Sequence, residues 1–237
     1  IVEDKYLRNA IKDALEKSVR KLEGKKDKVR KFEESVDVII NVKDLDFKNP
    51  ANRIDEEHIM PHPIRKKPLV PCFFVNKDLE VAVKKAGYKT INNGELTELA
   101  KKPNKDKKKV VKSYDYFIAE APAMIQVAKV LGRFLGARGK MIKPRPKGFG
   151  IIQPSESIDN VLGLLDKIFF LRMKQPLVQF SIGKKDLELD KMVENFNSVL
   201  HRLEQAFPNG QGNIRSIYIK TTMGEPVKVK EPEKKRR

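Results

Sequence analysis

Two histidines come nearest to the spacing of a metal site. His58 and His62 are four residues apart, which would aim two imidazoles at one ion if the segment were helical. Pro61 and Pro63 disfavour a helix there, because proline removes a backbone donor and clashes with the preceding turn. We therefore interpret both histidines as exposed linker residues and predict no bound metal.

Three glycines before a lysine suggest a phosphate-binding loop, but their spacing does not fit one. Gly132, Gly136 and Gly139 precede Lys140, whereas the phosphate loop needs a Gly-Lys pair at a fixed distance from its first glycine, followed by serine or threonine. The only cysteine, Cys72, lies in an apolar run and is expected to be a buried small hydrophobe. Since no nucleophile and base pair emerges either, the sequence predicts neither an enzyme nor a cofactor.

Two polar clusters have the residue types that contact RNA. Residues 30–35 lead into an alternating apolar pattern, and residues 216–224 end another one with two hydroxyls, a methionine and a glycine. Such a strand end offers donors and acceptors to phosphates and 2′-hydroxyls, and Gly224 allows close backbone approach. Met223 and Phe32 would supply apolar contact to sugar or base. The residues alone leave open an ordinary strand end followed by a turn.

The charge balance favours a polyanionic partner. The 237 residues include 50 Lys and Arg against 32 Asp and Glu, a net charge of +18. Residues 65–150 hold 21 basic and seven acidic side chains, so most of the excess, +14, lies in the middle of the chain. Nucleic acid is the expected partner, because neutralised phosphates release counterions. An anionic membrane surface is the alternative, but the basic runs lack an apolar helix face.

The cellular location is also predicted from composition. No apolar run approaches the length that spans a bilayer, so we expect no membrane partner. The first residues lack the pattern of a secretory signal, and one cysteine cannot form an internal disulfide. We expect a reduced, cytoplasmic protein.

The flanking parts of the chain predict one α+β layer. Helical spacing of apolar residues predicts a helix from Leu7 to Leu22, and alternation predicts a strand over 35–43. Later patterns predict helices over 158–165 and 189–207, and strands over 168–173, 177–182 and 214–220. A lone helix and strand cannot bury an apolar face, so the first strand needs partners from the second flank.

The middle of the chain has the pattern of a doubly wound α/β domain. Apolar runs over 69–75 and 114–119 predict strands that are covered on both faces in a parallel sheet. Helices are predicted over 78–86 and 123–131, with a short strand over 89–91, and the basic run 101–109 is interpreted as a solvated segment. Clusters of proline and glycine near both ends mark the boundaries.

Five stretches of the chain are distinctive: RKFEESV (30–36), NRIDEE (52–57), FIAEAP (117–122), LGARGKM (135–141) and KTTMG (220–224). Together they resemble the ribosomal protein L-one family of the large-subunit stalk, in its archaeal and eukaryotic form. The resemblance runs in order over nearly the whole chain, from about Lys5 to Val229. Five stretches in one order are far more specific than any single motif.

The resemblance implies a fold and a role. The fold would be α/β and α+β, with a discontinuous α+β first domain (1–64 and 151–230), an inserted Rossmann-like three-layer α/β second domain (65–150), a double hinge and a basic tail (231–237). The role would be to bind large-subunit rRNA at the mobile stalk next to the exit site. It would also include helping deacylated tRNA to leave and, in many members, repressing translation of its own mRNA. The protein would be a monomer within the ribosome.

The resemblance also implies site residues. By position the principal RNA contacts fall on Phe32, Ser35, Ser216, Thr222, Met223 and Gly224, with Arg30, Lys31, Lys174, Lys220 and Thr221 as further RNA-binding candidates. Secondary contacts to RNA or tRNA fall on Arg138, Lys140 and Lys143. The sequence departs from the family where Glu225 follows Gly224 in place of proline, and where Ala137 and Ile142 replace prolines.

Charge and resemblance point to different parts of the chain. Charge alone places the RNA on residues 65–150, whereas the resemblance places the specific contacts on the nearly neutral flanks. We expect hydroxyl, backbone and apolar contacts in the first domain to recognise RNA shape, and the basic second domain to add electrostatic attraction. A nucleotide-binding enzyme and a nonspecific nucleic-acid binder outside the ribosome are the alternatives.

Overall fold

The protein is a mixed α/β structure with several sheets. The computed structural model describes residues 4–18, 20–22, 25–28, 32–152 and 158–229. Contacts divide the chain into two compact units, residues 1–66 with 169–237 and residues 67–168. In chain order the elements are α1 (Asp4–Glu16), β1 (Arg20–Leu22), β2 (Lys25–Lys28), β3 (Ser35–Val42), β4 (Ile54–Ile59), β5 (Pro71–Phe74), α2 (Lys77–Lys85), β6 (Lys89–Thr90), α3 (Asn93–Lys101), α4 (Asn104–Ser113), β7 (Tyr116–Glu120), α5 (Ala121–Ala137), β8 (Ile151–Ile152), α6 (Ile158–Leu162), β9 (Ile168–Met173), β10 (Leu177–Lys184), α7 (Leu189–Ala206), β11 (Ile214–Thr221) and β12 (Val227–Lys228).

An antiparallel sheet in the order β10-β3-β11-β12 forms the centre of the first unit. Strand β3 lies between two strands from the far part of the chain, because Ile40 is opposite Val178 of β10 on one side and Ile217 of β11 on the other. Every second residue of β3 from Val36 to Val42 is buried, as the alternating sequence requires. The prediction that this strand takes its partners from the second flank is confirmed.

Two helices cover the apolar face of this sheet. Helix α1 packs against β11 and β12, and α7 packs against β10. Leu7 and Ile11 of α1 and Phe196 of α7 are fully buried in the shared core. Leu7 and Ile11 are four residues apart and therefore lie on one face of α1. An ion pair between Arg8 and Asp190 joins the two helices at the surface. This packing leaves the opposite face of the sheet to its polar residues.

Helix α1 is shorter than the sequence predicted. It ends at Glu16, and Leu22 lies in strand β1, which pairs with β2. The Ser18 backbone N–H donates to the Leu15 carbonyl at 3.2 Å in a closing turn. The Ser18 hydroxyl then accepts the Lys185 ammonium at 2.7 Å, which fixes the turn against the end of β10. A tertiary contact therefore ends a helix that local periodicity would have continued.

A parallel sheet in the order β6-β5-β7-β8 forms the centre of the second unit. All residues of β5 are buried, and the rings of Phe74 and Phe117 stack with their centroids 5.9 Å apart. The predicted parallel sheet with strands covered on both faces is confirmed. Strand β8 extends this sheet beyond residue 150, and residues 151–168 group with the second unit instead of with the first, where we had expected them.

Two helices between β6 and β7 were not predicted. Helix α3 begins after Asn92, whose side chain accepts the Glu95 N–H at 2.9 Å. Most of the basic run belongs to α4, which buries little apart from Val111. The Lys107 ammonium donates to the Ala100 carbonyl of α3 at 2.8 Å. The run is therefore largely exposed, as expected, but it is helical and one of its lysines caps a neighbouring helix.

The interpretation of the two histidines as exposed linker residues is wrong. His58 lies in β4, and its Nε2 is 2.8 Å from the Ser198 hydroxyl of α7, while burial lowers its pKa. The His62 backbone N–H donates to Asn195 Oδ1 at 2.9 Å, and its Nε2 is 2.5 Å from Glu194 Oε2. Both histidines thus hold α7 in place. Within the described ranges, no group of three or more His, Cys, Asp or Glu residues could hold a metal ion.

Candidate nucleic-acid interface

Three segments meet at one end of the antiparallel sheet, and we call this place the sheet-end surface. It consists of residues 32–35, residues 184–186 and residues 222–224. The Thr222 N–H donates to the Ser35 carbonyl at 3.0 Å, and the Ser35 N–H donates to the Thr222 hydroxyl at 2.9 Å. The Lys184 ammonium donates to the Ser35 hydroxyl at 2.9 Å. The structure therefore brings together the two polar clusters that the sequence singled out.

A buried carboxylate fixes the backbone of the sheet-end surface. The side chain of Glu34 accepts the Met223 N–H at 3.2 Å, and the Glu34 carbonyl accepts the Lys185 N–H at 3.0 Å. Glu34 is only 3% exposed, whereas Glu33 beside it faces solvent. Sequence reasoning missed Glu34, because two adjacent glutamates do not show which one is turned inward.

Two large apolar side chains of the sheet-end surface face solvent. Phe32 is 52% exposed and Met223 is 61% exposed. Contiguous exposed apolar surface often marks a contact with a partner. The hydrogen bonds of Ser35 and Glu34 fix the adjacent backbone. The positions of these two exposed side chains are therefore fixed at their backbone ends.

Gly224 and Thr221 form a close backbone turn that admits no other residue than glycine without a shift. The Gly224 N–H donates to the Thr221 carbonyl at 3.1 Å, and a Cβ at Gly224 would collide with the Thr221 hydroxyl oxygen. Thr221 is fully buried, and its hydroxyl finds no partner among the described residues. Thr221 therefore supports the turn, and the candidate role of its side chain as an RNA contact does not fit its position.

Other predicted contacts lie away from the sheet-end surface. The Asn41 amide donates to the Ser216 hydroxyl at 2.9 Å, near the opposite end of β11 from Thr222. Ser216 and Thr222 are six positions apart in the sequence, which is roughly 20 Å along extended backbone. Lys174 is exposed in the turn before β10, which starts beside Asn41. The candidates thus extend along the polar face of the sheet.

Charged residues lie between these two ends. Lys220 is opposite Asp37 in the register of β11 and β3. Burial raises the pKa of Asp37, while the charges of Lys220 and Lys184 and the Ser181 hydroxyl act in the opposite direction. The polar face of the sheet therefore carries both signs of charge, which agrees with the small net charge of the flanking sequence.

A lysine at the edge of the first unit binds two carboxylates of the sheet-end surface. Lys66 pairs with Glu33 and with Asp186, the latter at 2.7 Å. The hydrogen bond to Asp186 has the largest effect and the one to Glu33 the next largest, and together they raise the pKa of Lys66 to about 12. Lys66 is the last residue before the chain enters the second unit, and no sequence pattern pointed to it.

The secondary candidates in the second unit have different roles. The Lys140 ammonium donates to the Tyr114 carbonyl at 2.6 Å and to the Val111 carbonyl at 3.4 Å, so it caps the end of α4. A contact of Lys140 with RNA or tRNA would have to displace this cap. Arg138 is exposed at the end of α5, and Lys143 is half-buried. Arg30, Lys31 and the basic tail lie outside the described residues.

Comparison with known proteins identifies the family. Residues 23–225 match the Ribosomal protein L1p/L10e family, which is most of the chain. The chain belongs to this family, which is structural and not enzymatic. No helix of the described ranges is long and apolar enough to cross a membrane.

Individual archaeal relatives are similar over nearly their whole length. The large ribosomal subunit protein uL1 of Methanothrix thermoacetophila is 33% identical over 219 residues, which are 92% of this chain and 100% of that protein. The uL1 protein of Thermococcus kodakarensis is 36% identical over 203 residues, 85% of this chain and 90% of its own. That of Methanothermobacter thermautotrophicus is 37% identical over 202 residues, 84% and 91% respectively.

Proposed function

We propose that this chain is a structural protein of the large ribosomal subunit that binds rRNA of the stalk through the sheet-end surface. It works in the cytoplasm as part of the ribosome. The relatives carry the name of a large-subunit protein, and the chain covers at least 90% of the length of the three described above. The RNA-binding role rests on one observation: Ser35 and Thr222 are joined by a hydrogen bond, and Phe32 and Met223 are exposed beside them.

The arrangement fits recognition of RNA by shape. The backbone N–H groups of residues 222–224 are already bonded within the protein, so the carbonyl oxygens of this segment suit 2′-hydroxyls, and the two apolar side chains suit a sugar or an unstacked base. Lys184 places one positive charge beside Ser35. The basic second unit would add attraction without sequence specificity.

The finer roles also belong to this proposal. The protein assists release of deacylated tRNA from the exit site and represses translation of its own mRNA, which would present a similar RNA surface. The two compact units are the two domains, with a discontinuous α+β first domain and an inserted Rossmann-like second domain. Residue 168 replaces residue 150 as the proposed end of the insertion, since β8 completes its sheet.

Met223→Ala tests the RNA-binding role directly. The side chain is exposed, so its loss should not change the free energy of unfolding, but it should weaken binding to stalk rRNA by ~1–3 kcal/mol. The salt dependence of binding should stay the same, because no charge is removed. The measurement is a titration of labelled stalk RNA at several salt concentrations.

Ile125→Ala is the matched control. Ile125 is 65% exposed on α5 in the second unit and is expected to leave the affinity unchanged. Equal affinity of the unsubstituted protein for stalk RNA and for an unrelated duplex would favour the nonspecific binder instead. Equal binding by Met223→Ala and the parent chain would place the RNA elsewhere.

A further inference from the structure

A cavity in the second unit has the walls and charges of a nucleotide site. It lies between α3 and α4, has a volume of about 460 Å³ and is separate from the sheet-end surface. That volume is within the range of small-molecule sites, ~300–1,000 Å³. Helix α4 lines it with one face, since Asp106, Lys109 and Val110 follow the spacing of neighbouring turns.

The cavity combines an apolar wall with free positive charge. Leu99, Val110 and the half-buried Tyr114 supply the apolar surface. Lys102 and Lys109 also line the cavity, and neither ammonium group has a hydrogen-bond or ion-pair partner in the part of the chain that the structure describes. Unpaired ammonium groups beside an aromatic ring match a planar ligand that carries a phosphate.

Two lysine caps hold this cavity in shape. The Lys107 ammonium binds the Ala100 carbonyl at the end of α3, and the Lys140 ammonium binds the Tyr114 carbonyl just after α4. Each cap places a positive charge at a helix C-terminus, where it is favourable. Lys107 and Lys140 therefore fix the two helices, whereas Lys102 and Lys109 remain available to a ligand.

We infer that the α3–α4 cavity takes up one nucleotide of a single-stranded RNA segment. The base packs against Tyr114 and Val110, and Lys102 and Lys109 bind the phosphate. Asp106 would repel a phosphate but can accept a hydrogen bond from a ribose hydroxyl or a base amino group. The nucleotide would therefore bind in one orientation, with its phosphate away from Asp106. A base held in a duplex cannot enter such a cavity, whereas an unpaired base can.

The test uses the full chain and a short single-stranded RNA that contains one 4-thiouridine and no stalk sequence. The cavity variant is Lys102→Gln with Lys109→Gln, and the control is Lys105→Gln with Lys108→Gln, which removes the same charge from exposed residues outside the lining. We expect the cavity variant to bind at least about fivefold more weakly than the control, because it also loses the position of the base. Ultraviolet crosslinks should map to Tyr114 or Val110 and disappear in the cavity variant only.

Three outcomes would overturn this inference. They are equal weakening by both variants, crosslinks that avoid the residues lining the cavity, and competition by polyglutamate or by an RNA duplex as strong as that by unlabelled single-stranded RNA. Met223→Ala should leave the crosslinks at Tyr114 and Val110 unchanged. A failure here therefore differs from a failure of the proposed stalk-RNA surface.

Discussion

The Thr222 hydroxyl accepts the Ser35 N–H across the sheet end before any RNA is present. Thr222→Val removes that acceptor, so we expect the free energy of unfolding to fall by ~1–2 kcal/mol and stalk-RNA binding to weaken as well. Thr222→Ser keeps a hydroxyl and should retain most of both properties. Urea unfolding and RNA titration of the two variants give the comparison, and identical behaviour of the Val and Ser variants would contradict it.

Asp37 gives the polar face of the sheet a pH dependence. Its native pKa lies above the ordinary value of 3.8, mainly because of burial, so the folded protein holds this proton more tightly than the unfolded one. Stability from this group is therefore present at low pH and lost as pH rises through the raised pKa. Asp37→Asn should unfold at higher urea than the parent near neutral pH, and its advantage should shrink as pH falls towards the ordinary value.

Asp13→Asn is the control for this effect, since Asp13 is an exposed aspartate of α1. Urea midpoints measured from neutral pH down to about pH 4 separate the two variants. An advantage of Asp37→Asn that stays constant over that range would show that packing, and not titration, is the cause.

The residue types at the sheet-end surface were predictable from the motifs, but their separate roles were not. Phe32 and Met223 are exposed as a contact surface requires, and Cys72 is buried as its apolar run predicted, with its pKa raised to about 12 by burial. Glu34 and Lys66 act through partners that are distant in sequence. No local pattern encodes such partners.

Helix α7 is fixed to strand β4 by the pair of Arg202 and Glu56. The guanidinium donates to both carboxylate oxygens, at 2.6 and 2.7 Å, and the Glu56 side chain is only 10% exposed. Arg202→Met leaves this carboxylate without its cation and should lower the free energy of unfolding by about 2–3 kcal/mol. Adding Glu56→Leu to Arg202→Met should recover part of the loss, which denaturant unfolding of the single and double variants measures.

Lys191→Met provides the reference for that pair. Lys191 pairs with Glu188 on the exposed side of α7, and the loss of such a surface pair should cost less than ~0.5 kcal/mol. Equal effects of Arg202→Met and Lys191→Met would mean that the pair with Glu56 does not fix α7.

Elements with strong periodicity were predicted almost to the residue, as α7 and β9 show. Helix α3 was missed because its apolar signal consists of little more than Leu96 and Leu99. Helix α4 was hidden by its lysines, which gave a solvated segment when only composition was considered. The end of α1 and the placement of His58 and His62 depended on contacts with β10 and α7, which lie far along the chain.

The net charge of the whole molecule overstates the charge that is free to bind RNA. Lys107 and Lys140 already bind helix carbonyls. Replacing the exposed Lys105, Lys108 and Lys112 with glutamine should therefore flatten the salt dependence of RNA binding, by about 0.9 in log–log slope for each lost phosphate contact on a duplex. Unfolding should remain unchanged.

Lys107→Gln should show the opposite pattern. It should lower the free energy of unfolding by ~0.3–1 kcal/mol, through the loss of its cap on α3, and change the salt slope little. Thermal unfolding and RNA titrations at several salt concentrations distinguish the two sets. A triple variant that loses stability while keeping its salt slope would reverse this assignment.

The position of β3 between β10 and β11 has a consequence for synthesis of the protein. Strand β3 is translated early, but it cannot pair with β11 until the residues through 224 have been translated. The hydrogen bond between Ser35 and Thr222 cannot form before then. A nascent chain that stops before β11 lacks one of the three segments of the sheet-end surface, residues 222–224. On the proposed RNA-binding role of this surface, we expect incomplete copies to compete poorly for RNA with finished ones.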